Sequence, residues 1–217
     1  PSIRAVDKAL AENRMVLLVT QKERDEDHPD KSNVYTVGTV AVIMRMLKLP
    51  DERIRVLVQG VCRARLDELD ATGTYLVGRV TPLVEPPMDE EDQDTVVECR
   101  ALMRTVKKAL ERGVSLGKNL PSEVQVIANN LEDPGRLADL VASNLEVGTE
   151  QAQEVLEIVD PIGRLRLVAQ QLKRELDLLS MQHEVGEVRV ERDVARYLLE
   201  IVNRTRDHRQ LELGVST

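Results

Sequence analysis

Two runs of residues with a period of two, in the first third of the chain, predict a pair of β-strands. The runs cover residues 40–47 and 54–59. In these runs Val40, Val42, Met44 and Met46 alternate with Ala41, Ile43, Arg45 and Leu47. Ile54, Val56 and Val58 alternate with Arg55, Leu57 and Gln59. Between the runs, Pro50 presets the backbone for a turn, and Asp51 can accept a hydrogen bond from the backbone just beyond it. The pattern therefore predicts an antiparallel hairpin with a short loop.

Shorter patterns on both sides of this hairpin predict the rest of a small sheet. Residues 2–10 place apolar side chains on one face of a helix, with Ser2 as its N-cap. Residues 15–19 are typical of a buried strand, residues 63–70 continue or follow the second hairpin strand, and residues 74–84 contain one more strand. Consecutive strands with one helix indicate a mostly antiparallel sheet or an open barrel.

The periodicity changes after residue 86, and this change predicts a domain boundary. Pro86 and Pro87 are followed by an acidic run at 89–94, and beyond it the apolar residues recur with a period near 3.6. We expect an α+β chain with four parts. These are a β-rich domain at 1–86, an acidic linker at 87–95, a helical bundle at 96–185 and a helical tail at 186–217.

Four antiparallel helices account for the apolar stripes of the predicted bundle. The first carries its stripe from Val96 to Leu110, and the second follows Pro121. The third and fourth start at Asp133-Pro134 and Asp160-Pro161, where a capping residue precedes a proline in the first turn. Such helices can bury their stripes against one another.

Composition and charge argue against several kinds of partner. The chain of 217 residues has no Trp, no Phe and only three Tyr, so it offers few aromatic platforms for bases or sugars. Its formal net charge of −8 disfavours contact with phosphate backbones, and we expect no nucleic-acid partner. We also expect no membrane span and a cytoplasmic location, since no long apolar run or signal-peptide pattern is present. Cys62 and Cys99 lack a CxxC spacing and are predicted to be small apolar residues.

The residues that suggest chemistry fail on spacing, so we predict no catalytic residue, no cofactor site and no metal site. The loop from Gly113 to Asn119 follows a helix and has three residues between its glycines, whereas a phosphate loop follows a strand and has four. A helix C-terminus with a left-handed glycine fits it better. The histidines at positions 28, 183 and 208 are too far apart to form a local metal site or catalytic pair.

Several motifs, in the same order, resemble the amino-terminal domain of Lon-type ATP-dependent proteases. The segment beginning at Tyr35 reads YTVGTVAVIMRMLKLPD and is followed by VLVQGVCRARL. Upstream SIRAVDKALAENRMVLLVTQK, and downstream LEDPGRLADLVASNL and QAQEVLEIVDPIGRLRLVAQQLKREL, extend the resemblance over residues 2–184. It implies a PUA-like sheet domain followed by a helical bundle. It differs in lacking the Pro-Leu-Arg strand that precedes the first helix in that family, so we expect an unpaired sheet edge.

Residues 186–217 depart from that family and resemble the lid region of MoxR-type AAA ATPases. The resemblance rests on a Thr-Arg-x-His end of a helix and a Leu-Gly-x-Ser loop. The matching positions are Thr205, Arg206, His208, Leu213, Gly214 and Ser216. It would make the chain composite.

The Lon resemblance implies a non-catalytic module that recognises unfolded or degron-bearing proteins for separate ATPase and serine protease domains, within a homohexamer. The candidate contact residues are Met46, Leu47, Leu49 and Pro50, near the predicted turn and flanked by basic side chains. Met44 and Met46 share a face with Val40 and Val42, which favours a place in the sheet core for both methionines. Sheet core is also the alternative for Leu47, Leu49 and Pro50. Two other functions remain open: a free-standing domain that binds a ligand or one partner, or an adaptor in an AAA assembly. A concave apolar pocket would favour the ligand-binding domain, and a flat apolar patch would favour capture of unfolded proteins.

Overall fold

A computed structural model describes residues 2–23, 29–48, 54–88, 91–187 and 192–206. These ranges contain four strands and seven helices, which confirms the α+β class. In chain order they are α1 (Ser2–Ala11), β1 (Met15–Leu18), β2 (Val37–Lys48), β3 (Ile54–Asp70), β4 (Val77–Pro82), α2 (Gln93–Ser115), α3 (Ser122–Asn130), α4 (Pro134–Ala142), α5 (Thr149–Glu157), α6 (Pro161–Glu187) and α7 (Arg192–Arg206).

The four strands form one antiparallel sheet in the order β1-β2-β3-β4. Strands β2 and β3 pair from Val37↔Arg65 to Lys48↔Ile54, so the predicted hairpin is confirmed. The predicted turn at residues 49–52 lies outside the described residues.

Two irregularities in the β2–β3 pairing change which side chains point inward. Val40 pairs with Cys62 and Ala41 with Gly60, so Val61 is an extra residue in β3. Ile43 pairs with Val58 and Arg45 with Leu57, so Met44 is an extra residue in β2. Met44 is 52% exposed, whereas Ile43 is fully buried. The expectation that Met44 belongs to the sheet core is therefore wrong, because the bulge interrupts the period of two.

The sheet curls so that its first and last strands approach each other. A Cβ atom on Gly78 in β4 would lie 3.5 Å from Leu17 Cδ2 in β1, which supports the predicted open barrel. Strand β1 was predicted to be buried, but Met15 and Leu18 are each 45% exposed. β1 is at the edge of the described sheet, and neighbouring elements cover only part of it.

The main apolar core lies among the helices. Its fully buried side chains come from α2, α4 and α6, at Val106, Leu137, Ala138, Val141, Leu165, Val168 and Leu172. Helix α4 starts at the predicted cap, since Asp133 accepts a hydrogen bond of 2.7 Å from the Arg136 amide. None of the helices in the described ranges combines the length and apolarity that a membrane crossing requires.

Sequence patterns missed one helix and correctly placed one left-handed glycine. Helix α5 was not predicted as a separate element; its apolar stripe is short and the buried Gln153 interrupts it. Beyond α2, Gly117 has a φ of 94°, as expected for a glycine at a helix C-terminus. The neighbouring Lys118 is 8% exposed and forms an ion pair with Glu175 of α6.

Candidate functional site

The end of the β2–β3 hairpin presents two leucines and two arginines on one face. Arg45 pairs with Leu57, and Leu47 pairs with Arg55. Cross-strand partners share a face of the sheet, and so do positions two apart in one strand. All four side chains are exposed, and Leu47 and Leu57 keep 43% and 62% of their surface accessible. We call Arg45, Leu47, Arg55 and Leu57 the Leu–Arg face.

The structure separates the predicted contact residues. Leu47 lies on the Leu–Arg face, whereas Met46 pairs with Val56 on the opposite face, where both are half-buried. Leu49 and Pro50 lie outside the described residues. Sequence reasoning missed Leu57 and Arg55, although the alternation of residues 54–59 already separated these two from Val56.

A second feature is a cavity of about 440 Å³ between the sheet and the helices. Its sheet side includes the β3 bulge at Gly60, Val61 and Cys62, where the ladder is irregular. Its lining residues are Thr39, Gly60, Val61, Cys62, Arg63, Asp139, Ala142, Ser143, Val147, Ala152, Val155, Leu156 and Gln171. The cavity therefore exists only because β3 packs beside α4, α5 and α6.

Two arginines and two carboxylates connect the sheet to the helices beside this cavity. Arg63 Nη2 of β3 lies 2.5 Å from Asp139 Oδ1 of α4, and its Nε donates to the Leu156 carbonyl at 3.1 Å. Arg164 of α6 is fully buried, and its Nη2 donates to Glu85 Oε1 at 2.6 Å. Arg164 Nε lies 3.1 Å from Asp139 Oδ1, which permits charge attraction, although its direction does not make a hydrogen bond. The network pairs two positive charges with two negative ones.

Gly135 leaves the space that this network needs. A Cβ atom there would lie 2.6 Å from Arg164 Nη2 and 3.1 Å from Glu85 Oε2. Because Arg164 is held on several sides, it has little room to move away. A side chain at position 135 would therefore disturb the ion pairs.

A buried glutamine adds a second connection between the sheet and the helices. Gln153 of α5 is 4% exposed, and its Nε2 donates to the Val37 carbonyl of β2 at 2.9 Å. The same amide nitrogen lies 3.0 Å from Glu157 Oε1. This satisfied buried donor fixes the distance between α5 and the sheet.

The two cysteines differ in their surroundings. Cys62 is half-buried in the cavity wall, and Cys99 is 2% exposed in the helical core. Burial raises the pKa of the Cys99 thiol above its ordinary value of 9.0. Both are free thiols.

These two features expose apolar and charged side chains to solvent. Among the described residues, no group of three or more His, Cys, Asp or Glu side chains is placed to hold a metal ion. The Leu–Arg face offers apolar contact beside positive charge, and the cavity offers apolar walls beside paired charges.

A family model supplies the observation that decides the affiliation. The model described as the ATP-dependent protease La (LON) substrate-binding domain matches residues 1–174. The chain belongs to this Lon family. The resemblance noted in the sequence is thereby confirmed.

Relatives and a solved structure agree with this assignment. The chain is 47% identical to the Lon protease of Geobacter metallireducens over 184 residues, which are 85% of this chain and 22% of that protein. It is 37% identical to the Lon protease of Aquifex aeolicus over 201 residues, covering 91% of this chain and 25% of that protein. The chain thus spans about a fifth to a quarter of the length of these curated relatives.

The fold of a solved Lon domain is also similar. The amino-terminal domain of a Mycobacterium avium complex Lon protease matches with a TM-score of 0.58 and 26% identity. The match covers 78% of this chain and 83% of that one. The sheet followed by helices is therefore an architecture of the Lon amino-terminal domain.

Proposed function

We propose that this chain is a substrate-recognition domain that binds unfolded or degron-bearing proteins, and that the Leu–Arg face is one of its contact surfaces. The observation that supports this most directly is the match to a substrate-binding domain over residues 1–174. The structure contributes a surface of suitable chemistry.

The Leu–Arg face suits an unfolded chain because both components of its chemistry are exposed. Unfolded segments display apolar side chains that folded proteins bury, and Leu47 and Leu57 can cover such side chains. Arg45 and Arg55 add positive charge to a chain whose net charge is −8, so the face differs in sign from the whole. Acidic residues in a client would be attracted to it.

The other residues of the original candidate set remain part of the proposal. Leu49 and Pro50 follow Leu47 directly in the chain, and Met46 is half-buried behind the face. We include them as contributors, with Met46 supporting the strand from its opposite side.

The direct test compares binding of the purified chain to one protein in a permanently unfolded form and in its native form, by fluorescence anisotropy. We expect tighter binding of the unfolded form. Equal affinity for the two forms would refute client capture.

A matched pair of variants tests the Leu–Arg face itself. Leu47→Ser with Leu57→Ser removes both exposed leucines, and we expect affinity for the unfolded form to fall by about 10-fold or more, since each truncated contact is worth about 1 kcal/mol. Leu178→Ser in α6 is the control, because Leu178 is 61% exposed and far from the hairpin in sequence. Equal losses in the two proteins would remove the Leu–Arg face from the binding site.

Our proposal for the parent protein and its assembly is based on membership of the Lon family and not on contacts seen in this chain. We propose that ATPase and serine protease domains of the parent protein process the bound client, that the parent forms a homohexamer, and that it is cytoplasmic. We also propose the division into domains at 1–86 and 96–185 with the linker 87–95. The ion pairs of Arg63 and Arg164 and the hydrogen bond from Gln153 to Val37 would then belong to the contact between these domains.

A separate proposal concerns the tail at 186–217. Its resemblance to a MoxR lid stays a prediction, and His208, Leu213, Gly214 and Ser216 lie outside the described residues. The similarity to the Aquifex aeolicus protein covers 91% of this chain and so extends into α7, which supports a tail native to the Lon-like body. No nucleic-acid partner is proposed.

A further inference from the structure

We propose that the Leu–Arg face recognises an extended client segment in which an acidic residue and a large apolar residue are two positions apart, and that it accepts these two residues in either order. This inference rests on the proposed capture of unfolded segments. It names the local sequence that such a segment presents to the hairpin.

The Leu–Arg face is built from a short repeat in the chain. Residues 45–47 of β2 read Arg-Met-Leu, and residues 55–57 of β3, ten positions later, read Arg-Val-Leu. Met46 pairs with Val56, and the two strands run in opposite directions. A two-fold axis perpendicular to the sheet therefore passes between Met46 and Val56 and exchanges the two tripeptides.

The register gives each cross-strand row of this face one arginine and one leucine. Arg45 lies opposite Leu57 in the first row, and Leu47 lies opposite Arg55 in the second. Along either strand the arginine and the leucine are two positions apart, which is ~7 Å in an extended chain. A client in the extended conformation has the same spacing between its own side chains at positions two apart. One such side chain can therefore lie over an arginine while the other lies over a leucine.

The two arginines of the face are available to a client carboxylate. Neither has an ion-pair partner among the residues that the structure describes, whereas Arg63, Arg164 and Arg166 each pair with a carboxylate. A second copy of the chain on this face would bring four arginines together, and their charges would repel one another. An acidic residue near an apolar one complements both kinds of side chain.

The two-fold arrangement makes the order of the two client residues unimportant. An acidic residue over Arg45 places the apolar residue over Leu47, along β2, and the reversed order places them over Arg55 and Leu57, along β3. Contacts on the face of a sheet involve side chains, so no backbone hydrogen bond fixes the direction of the client chain. Adjacent client residues point to opposite sides of an extended chain, and they cannot both reach the face.

The test compares four peptides of equal length in the same serine and threonine background, acetylated and amidated to remove the terminal charges. They contain Glu-Ser-Leu, Leu-Ser-Glu, Gln-Ser-Leu or Glu-Leu-Ser. By fluorescence anisotropy we expect equal affinities for the first two and about threefold weaker binding of the other two, because each of these loses one contact. High salt should remove the advantage of Glu-Ser-Leu over Gln-Ser-Leu. A preference for one order, or equal binding of Glu-Leu-Ser, would overturn the inference.

Arginine variants test the two equivalent positions. Arg45→Gln or Arg55→Gln alone leaves one position complete, so each should weaken binding of Glu-Ser-Leu only about twofold and keep its advantage over Gln-Ser-Leu. The double variant should abolish this advantage. Arg104→Gln, at an exposed position of α2, is the matched control and should leave all affinities unchanged. Loss of the advantage in either single variant would mean that one carboxylate needs both arginines, and it would overturn the arrangement of two equivalent positions.

The unfolded protein used to test the proposed function separates the two ideas. If the chain prefers the unfolded form to the native form but does not distinguish the four peptides, only this inference is refuted. If the chain does not prefer the unfolded form, the proposed function itself is refuted.

Discussion

Arg164 Nη2 lies 2.6 Å from Glu85 Oε1, although the two residues are 79 positions apart in the chain. Glu85 lies three positions beyond the end of β4, and Arg164 lies in the first turn of α6. Because Arg164 is fully buried, its charge depends on this partner and on Asp139 for compensation. The pair therefore helps to hold the end of the sheet against α6.

Removal of the Arg164 side-chain donors should destabilise the chain. We expect Arg164→Met to lower the free energy of unfolding by about 1–3 kcal/mol, because Glu85 and the Ile158 carbonyl would each lose a donor, while the carboxylates of Glu85 and Asp139 keep Arg63 and partial contact with solvent. Urea unfolding followed by circular dichroism measures this change in the free energy of unfolding. The control is Arg166→Met, in the same helix, because Arg166 is 50% exposed and pairs with the exposed Glu98 at 2.5 Å. That change should cost less than about 1 kcal/mol after screening by solvent. A loss below about 1 kcal/mol for Arg164→Met, as small as that of the exposed pair, would show that the buried network adds little stability.

A methyl group at Gly135 should also destabilise the network. The added Cβ would lie 2.6 Å from Arg164 Nη2, so we expect Gly135→Ala to lower the free energy of unfolding by about 1–3 kcal/mol. Gly73→Ala is the control, since its nearest contact is an ordinary 3.5 Å and the substitution should be neutral or slightly stabilising. Thermal unfolding of the two variants side by side compares them. A neutral Gly135→Ala would mean that Arg164 adjusts without cost.

The two thiols should differ in reactivity. Cys62 in the cavity wall should react with a thiol reagent at pH 8, whereas Cys99 should react only after unfolding, since it is 2% exposed and burial raises its thiol pKa. Mass spectrometry after timed alkylation identifies the modified residue. Labelling of Cys99 in the native protein at the rate of Cys62 would contradict its place in the core. The Cys62→Ser variant provides the reference for Cys99 alone.

The acid stability of the sheet should depend on Asp67. A 2.6 Å hydrogen bond from Thr81 Oγ1, together with Arg65, lowers the pKa of this carboxyl below its ordinary value of 3.8. A lowered pKa in the folded state adds stability above pH 3.8, and this contribution disappears as the pH falls through the folded-state value. Asp67→Asn should therefore reduce the melting temperature at pH 7 and make it less sensitive to pH below 4. Melting temperatures measured from pH 2 to 7 test this. Parallel pH profiles for the variant and the parent chain would contradict it.

Much of the fold could be predicted from local sequence patterns. The period of two in residues 40–47 and 54–59 predicted the hairpin, and Asp133 followed by Pro134 predicted the start of α4. Met44 was placed wrongly, because one extra residue in a strand shifts all later side chains, and the residues that pair across strands are not visible in the sequence of one strand. Helix α5 was missed for a related reason, since its buried Gln153 gains its partner from the distant Val37.

The residues of the candidate site could be predicted only in part from the sequence. Leu47 was identified because it lies near a predicted turn, whereas Leu57 and Arg55 join it only through the cross-strand register. Arg63 and Arg164 resembled ordinary exposed basic residues in the sequence. Their carboxylate partners lie 76 and 79 positions away, and no local pattern connects them.

The sequence by itself determined the Lon family, the α+β class and the elements whose periodicity arises from neighbouring residues. Local backbone preferences and the burial of one face impose that periodicity on consecutive side chains, so it can be read directly. Only the tertiary structure decided the bulges, the Leu–Arg face, the cavity and the buried ion pairs. These depend on contacts between distant segments, whose energies arise from burial and charge pairing once the sheet and the helices have met.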